Sequence, residues 1–171
     1  MALLAEEIVE EWLNRKGYFT IRGIKIGVDE IDILAMKPSE KGKLDCRHIE
    51  VQCSMRPVSY ISKLPKKIQK ETGRHANTVK RSPKELEIGT EEWIEKKFGS
   101  KKKQKVLNDL CPNKWSRELV INNVKSHEEV SLIEKQGVKI HNLSDIVKDF
   151  KQTTEVIQSA SSADLIDLIQ L

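Results

Sequence analysis

The chain has 171 residues, of which 38% are hydrophobic and 33% are charged, and its formal net charge is +4. A chain of this length can bury one substantial core but leaves little room for a second domain. No stretch approaches the roughly 18 consecutive apolar residues of a membrane helix, and the first residues are acidic where a leader would be basic. We therefore expect a cytoplasmic protein that does not span a membrane. The three cysteines show neither paired spacing nor histidines at zinc-ligand offsets, so we expect buried free thiols.

The positive charge is concentrated in the middle of the chain. Residues 62–118 contain 16 Lys and Arg against 8 Asp and Glu, a net charge of +8, and the rest of the chain is net negative. A polyanion such as nucleic acid would be attracted to this segment. A solvated lysine-rich surface produces the same pattern, so the charge distribution alone leaves both interpretations open.

The first third of the chain predicts one helix followed by three strands. Apolar residues at helical spacing predict an amphipathic helix over residues 3–16, which Gly17 ends. Branched residues predict strands from Tyr18 to Ile26 and from Val28 to Met36. A third strand, from Arg47 to Met55, alternates between polar and apolar residues. The side chains expected on its polar face are those of His48, Glu50, Gln52 and Ser54.

The rest of the chain predicts a basic insert and then alternating strands and helices. The insert covers about residues 57–118 and includes a helix from Thr90 to about Leu110, which Gly99 interrupts. The elements after it are a strand over Glu118–Val124, a helix over Ser126–Gln136, a strand over Val138–His141 and a helix over about residues 145–158. This order predicts an α/β fold with a mixed central sheet flanked by helices. Residues 1–158 would form the domain, and residues 159–171 an apolar tail helix that packs on its own domain or on a partner.

Two acidic residues stand where the predicted hairpin brings strands together. Asp32 interrupts an otherwise apolar strand, and Glu50 follows 18 residues later on the next strand. An acidic residue in such a run is costly unless it is paired or bound to a metal ion. Carboxylates that hold a divalent cation supply what phosphodiester hydrolysis needs, namely an activated water and charge compensation.

Three segments of the first third of the chain form a recognisable series: Ala5–Leu13 with Gly17 and Tyr18, then Glu30–Ala35, then Ile49–Ser54. Together they resemble the PD-(D/E)xK, or restriction-endonuclease-like, nuclease superfamily, in an order similar to that of archaeal Holliday-junction resolvases and small bacterial resolvase-like proteins. The resemblance covers about residues 5–55.

The resemblance implies a role for each motif residue. Asp32 and Glu50 would be metal ligands, and Glu6 would complete the metal site, with Glu7 as the alternative. Gln52 stands where the motif has lysine. A neutral amide can orient the attacking water by hydrogen bonding but cannot supply the positive charge of an ammonium group.

We therefore expect a Mg²⁺- or Mn²⁺-dependent endonuclease, a hydrolase acting on DNA through Asp32, Glu50, Gln52 and Glu6. Two identical sites in a homodimer would cut both strands of a symmetric substrate. Two alternatives stay open: a nuclease-fold DNA-binding module without turnover, and an adaptor that binds a partner through its apolar tail. The aromatic residues Trp93, Phe98 and Trp115 are expected in the core rather than stacked on bases. The expected contacts to the DNA backbone are Arg74, Lys80, Arg81, Lys101, Lys102, Lys103 and Lys105.

Overall fold

Five strands form one mixed sheet in a computed structural model that describes residues 2–39 and 42–150. Along the sheet, the strands follow their order in the chain. The first three are antiparallel neighbours, and the last two continue the sheet in parallel. The strands are β1 (Phe19–Ile26), β2 (Asp29–Pro38), β3 (Leu44–Val58), β4 (Trp115–Val124) and β5 (Val138–Asn142).

Helices cover both faces of this sheet. On one face lie α1 (Ala2–Arg15) and α6 (Leu143–Phe150), and their apolar side chains pack on Ile33, Ile49 and Val120. On the other face lie α3 (Pro83–Ile94), a π-helical turn (Glu95–Gly99) and α5 (His127–Lys135). The predicted α/β fold with a mixed sheet flanked by helices is confirmed, and it is consistent with a restriction-endonuclease-like architecture.

The central strand β3 is buried on both sides, and its alternation decides which face carries the polar residues. Ile49 and Val51 point toward α1 and join the core there. Because successive side chains on a strand point to opposite faces, Glu50 and its neighbours at positions 48 and 52 point toward the other helical layer. Of the polar row that the sequence predicts, His48 and Glu50 are therefore buried inside the fold, whereas Gln52 and Ser54 are half-buried.

The basic insert between β3 and β4 is helical, as predicted, but its boundaries differ. It contains α2 (Lys66–Thr72), which the sequence analysis missed, then α3, the π-helical turn and α4 (Lys101–Leu110). Helix α3 begins at Pro83 instead of Thr90, because Ser82 and Glu85 form a reciprocal capping box at its start. The break expected at Gly99 is real, and it takes the form of the π-helical turn.

The C-terminal predictions are only partly covered by the described residues. Helix α6 ends at Phe150 in the described range, and the predicted continuation to residue 158 and the tail at 159–171 lie outside it. Within residues 2–39 and 42–150, no helix has the length and apolar character needed to cross a bilayer.

Candidate functional site

Asp32 lies where β2 separates from β3. The backbone pairing between the two strands ends at Ile33 and Ile49, and the same register would place Asp32 opposite Glu50. In place of a further backbone bond, Oδ2 of Asp32 accepts a hydrogen bond from the amide of Val51 at 2.7 Å. The carboxylate thus occupies the gap between two diverging strands, facing the polar row of β3.

The electrostatic environment of Asp32 disfavours its charged form. Burial raises its pKa, and the negative charge of Glu50 raises it further; the charge of Lys97 and the amide of Val51 act in the opposite direction. The result is a pKa of about 7. Asp32 has no ion pair with another described residue. A partly buried carboxylate in this position is a group whose ionisation a bound cation would favour.

Glu50 is the centre of a buried charge network. Its side chain is 1% exposed. Oε1 accepts from Nε2 of His48 and from Nζ of Lys103, each at 3.0 Å, and Oε2 accepts from Nζ of Lys97 at 2.5 Å. Burial alone would raise the pKa of Glu50, but the bond from His48 and the charges of Lys97 and Lys103 outweigh it and lower the pKa to about 2.

His48 acts in this network as a neutral donor. Burial lowers the pKa of its imidazole, and the ionised carboxylate of Glu50 can only accept hydrogen bonds. The proton therefore resides on Nε2 and is donated to Glu50. The ring also packs edge-on against Phe98, with centroids 4.8 Å apart. His48 thus lies on the predicted polar face of β3, and that face is covered here, since the residue is fully buried between sheet and helix.

Two lysines from the insert provide positive charge that the strand motif lacks. Lys97 belongs to the π-helical turn and Lys103 to the first turn of α4. Burial would lower the pKa of Lys97, but the charges of Glu50 and Asp32 raise it above its ordinary value. The sequence analysis missed Lys97. The available signal was the combination of a helix interrupted at Gly99 with lysines around the break, because π-helical turns often occur at functional sites.

Gln52 shares the β3 face with Glu50 but makes a different contact. Its amide nitrogen donates to the carbonyl oxygen of Ile61 at 3.2 Å. The loop at Ile61 and Ser62 is fixed by the buried carboxylate of Glu129, which accepts from both backbone amides. The side chain of Gln52 is thus anchored to a rigid loop beside the two carboxylates.

Glu6 lies near the same centre at the start of α1. Burial raises its pKa, and so do the charges of Glu30 and Glu50. Its neighbour Glu7 pairs with Arg22 at 3.4 Å, and the charge of Arg22 also acts on Glu6, where it lowers the pKa. The charge of Glu50 affects the pKa of Glu6. The described residues nevertheless contain no group of three His, Cys, Asp or Glu side chains close enough to hold a metal ion.

Two carboxylates would therefore have to hold a divalent cation here. Asp32 and Glu50 offer hard oxygen ligands, which Mg²⁺ and Mn²⁺ prefer, and the remaining ligands of Mg²⁺ in proteins are commonly waters. Burial raises the pKa of Asp32 most and the charge of Glu50 raises it further, so a cation bound beside it would favour the ionised carboxylate. A cation at Glu50 would share Oε2 with the ammonium group of Lys97 or displace it. The residues fit a cation that competes with an ammonium group for one oxygen.

The residues expected to contact DNA fall into three groups. Lys103 is 1% exposed and bound to Glu50, so a surface role for it is wrong. Arg74 and Arg81 act within the insert: Arg74 pairs with Glu85 at 2.6 Å, and Arg81 lies over the ring of Tyr60 while donating to backbone carbonyls. The exposed members are Lys80, Lys101, Lys102 and Lys105, the last paired with Asp109.

The aromatic and sulfur-containing side chains mostly have the expected core positions. Phe98 is fully buried, and Trp115 is half-buried and donates from its indole nitrogen to the carbonyl of Cys111 at 3.0 Å. Cys46 and Cys111 are buried free thiols, as expected. Trp93 differs, because part of its half-buried ring lines a cavity next to Gln52 and Lys97.

Comparison with known proteins supports the fold and leaves the activity open. No protein-family model matches the sequence, and no curated protein matches it at a significant level. Among solved structures, the crystal structure of a protein of unknown function, AF1548, is similar to this chain with a TM-score of 0.50 and 12% sequence identity. The similarity covers 99% of this chain and 79% of that one. At this identity it shows a shared fold and nothing about chemistry.

Proposed function

We propose that this chain is a metal-dependent endonuclease that hydrolyses phosphodiester bonds in DNA with Mg²⁺ or Mn²⁺. The observation that carries the proposal is the position of Lys97, whose ammonium group lies on Glu50 next to Asp32. Two carboxylates and one ammonium group are the chemical set that the resemblance to PD-(D/E)xK nucleases implies. In this chain the ammonium group would come from Lys97 in the helical insert. Gln52 occupies the position on β3 where the motif has lysine.

Each side chain has a distinct part in the proposed chemistry. A divalent cation, when bound, would supply charge neutralisation and lower the pKa of an attacking water. Asp32 and Glu50 hold that charge in place, and the Val51 amide keeps Asp32 oriented. Lys97 is 29% exposed on its side chain, so its ammonium group can exchange Glu50 for a phosphoryl oxygen of the substrate. Gln52 then has only to orient the attacking water, because Lys97 supplies the positive charge.

The exposed lysines of the insert make DNA a suitable partner. Lys101 and Lys102 are exposed in the first turn of α4, which also carries the Lys103 side chain that binds Glu50. Ammonium groups so placed would neutralise phosphates near the carboxylates without reading the base sequence. A homodimer remains part of the proposal, and light scattering of the purified chain would test it.

A cleavage assay tests the proposal directly. Branched, duplex and single-stranded DNA would be incubated with the chain in Mg²⁺, in Mn²⁺ and in chelator. We expect metal-dependent products from at least one substrate and none with Asp32→Asn, which keeps the shape of the side chain and removes its charge. Cleavage that persists in chelator or in Asp32→Asn would refute the assignment of the site.

A DNA-binding module without turnover is the second candidate, and one observation favours it. Both oxygens of Glu50 have cationic partners, Lys97 and Lys103, and these ammonium groups can compensate its charge as a bound cation would. Binding of DNA that is equal in metal and in chelator, with no cleavage, would support this candidate. The adaptor alternative depends on the tail at 159–171, which lies outside the described residues.

A further inference from the structure

A cavity of about 660 Å³ opens beside the carboxylate site. One wall is the segment that carries Lys63 and Lys66, and the opposite wall is the end of α3 with Trp93. The two walls touch at Gly89, where an added Cβ atom would lie 2.9 Å from the carbonyl oxygen of Lys63. The cavity is thus a cleft between α3 and the loop before α2, with a volume typical of small-ligand sites.

The lining of this cavity combines positive charge with one aromatic ring. Lys63, Lys66 and Lys96 are exposed, and none of them forms an ion pair with another described residue. Glu92 is the acidic residue of the lining, so the local balance stays positive. Trp93 packs its ring edge-to-face against Phe98 at 6.0 Å between centroids, which holds it in place. Unpaired ammonium groups around a fixed aromatic ring are the elements from which single-stranded nucleic-acid sites are built.

The same cavity reaches the proposed catalytic residues. Gln52 and Lys97 belong to its lining, and Lys97 also contacts Glu50. A nucleotide bound in the cavity would therefore have its phosphate within the reach of Lys97. The cavity, which is large enough for a base, therefore lies next to the point where the DNA backbone would be cut.

We propose that this cavity binds one unpaired nucleotide next to the scissile phosphodiester, with its base on Trp93 and its phosphate on Lys63, Lys66 and Lys96. The inference rests on the proposed nuclease function and narrows its substrate class. Inside a continuous duplex both faces of a base are covered by its neighbours, so stacking on a protein ring requires a base that has left the stack. The substrates are then single strands, flaps or branched DNA with unpaired nucleotides.

Binding measured in chelator tests the subsite without any cleavage. Fluorescence anisotropy would compare a labelled oligothymidylate with a blunt duplex hairpin for the parent chain and its variants. We expect Trp93→Ala to weaken binding of the single strand by about tenfold or more, the size expected for one stacked base, with a smaller effect on the duplex. Lys96→Gln should weaken binding of the single strand. The matched control is Lys135→Gln, at an exposed lysine at the end of α5, and it should leave this binding unchanged.

Fluorescence of Trp93 provides a second, independent readout. Oligothymidylate should quench part of the tryptophan emission of the parent, and Trp93→Phe should lose that quenching while it keeps most of the affinity. This measurement decides the question if Trp93→Ala lacks the circular-dichroism spectrum of the parent. Binding of free thymidine monophosphate, measured in parallel, distinguishes a site for a nucleotide within a DNA strand from a site for a free mononucleotide. The proposal requires oligothymidylate to bind more tightly than thymidine monophosphate.

The failure of the subsite and the failure of the proposed function give different results. Unchanged single-strand affinity in a folded Trp93→Ala, or equal losses for single strand and duplex, overturns the subsite, and cleavage that depends on Asp32 would still support the nuclease. Trp93-dependent binding of single strands without any metal-dependent cleavage keeps the nucleotide site and overturns the nuclease function.

Discussion

The Nζ atom of Lys97 lies 2.5 Å from Oε2 of Glu50, although 47 positions separate the two residues in the chain. Glu50 comes from the central strand and Lys97 from a π-helical turn in the insert. The fold thereby places an ammonium group at the site although the strand position two residues after Glu50 carries a neutral glutamine. This relationship is the basis of the first prediction.

Replacing Lys97 should remove most of the cleavage activity. We expect Lys97→Gln to lower the single-turnover rate by about 10²-fold or more, within the range for the loss of a charge-stabilising group. Introducing Gln52→Lys into that variant should recover part of the rate, because positions 52 and 97 line the same cavity. Lys135→Gln, at an exposed lysine outside the cavity lining, is the control. A Lys97→Gln variant that cuts like the parent would leave Lys97 with a structural role only.

Asp32→Asn should stabilise the folded chain above neutral pH while it abolishes cleavage. The folded state raises the pKa of Asp32 from 3.8 to about 7, so it binds the proton more tightly than the unfolded state does. Tighter binding of this proton adds to the free energy of unfolding. The full contribution is present below the pKa of the unfolded state, and it is lost as the pH rises through about 7. Asparagine does not ionise, so urea unfolding should show a gain of about 1–3 kcal/mol near pH 8. The gain should shrink toward pH 4, and a variant less stable than the parent at both pH values would contradict this account.

The cleavage rate should follow the ionisation of Asp32. With metal below saturation, the logarithm of the rate should rise with pH with a slope of about one and level off above about 7, where Asp32 is ionised. Cation and proton compete for the carboxylate, so more Mn²⁺ should move the midpoint to lower pH. If the midpoint of the pH profile does not change with metal concentration, the group that ionises is not a metal ligand, and this prediction is contradicted.

Glu50→Gln should destabilise the fold more than Lys103→Met. Without the Glu50 carboxylate, the Lys103 ammonium group stays buried at 1% exposure with no charge partner among the described residues. Breaking such a pair costs about 3–5 kcal/mol. Lys103→Met should have a smaller effect, because Glu50 keeps His48 and Lys97 as donors. Urea unfolding at neutral pH checks the order of the two effects, and the reverse order would contradict the network.

Neutralising exposed lysines at the start of α4 should change how DNA binding depends on salt. We expect the double change Lys101→Gln and Lys102→Gln to reduce the slope of log K against log salt by about 2 for any DNA sequence, about one unit per phosphate contact. Lys103→Met should leave this slope unchanged, since Lys103 is buried. Equal slopes for the parent and the double variant would mean that neither lysine contacts the DNA backbone.

The sequence predicted the architecture well because its signals are local. Helix α1 ends before Gly17, which adopts a positive φ of 82°, and the alternation of β3 correctly placed Glu50 and Gln52 on one face. The juxtaposition of Asp32 with β3 followed from strand pairing within a hairpin. Each of these features depends on residues close together in the chain.

The parts of the site that the sequence did not predict depend on contacts between distant segments. The break at Gly99 points to this stretch of lysines as a whole, but no local pattern tells Lys97 and Lys103 from the exposed Lys101 and Lys102. Their contact with Glu50 depends on how the insert packs over the sheet, and that packing is determined by cores such as Phe98 against Leu119 and Ile121. Burial of His48 has the same origin, since the helical layer covers a strand face that by pattern alone resembles a solvent-exposed one.

The π-helical turn at Glu95–Gly99 makes the number of residues in this stretch matter as much as their identity. In an α-helix each residue advances the direction of the side chains by about 100°. Removing Glu95, which lies between the end of α3 and Lys97, would therefore rotate Lys97 away from Glu50, although every lysine of the stretch is kept. Related chains that preserve this site should vary in composition here much more readily than in length.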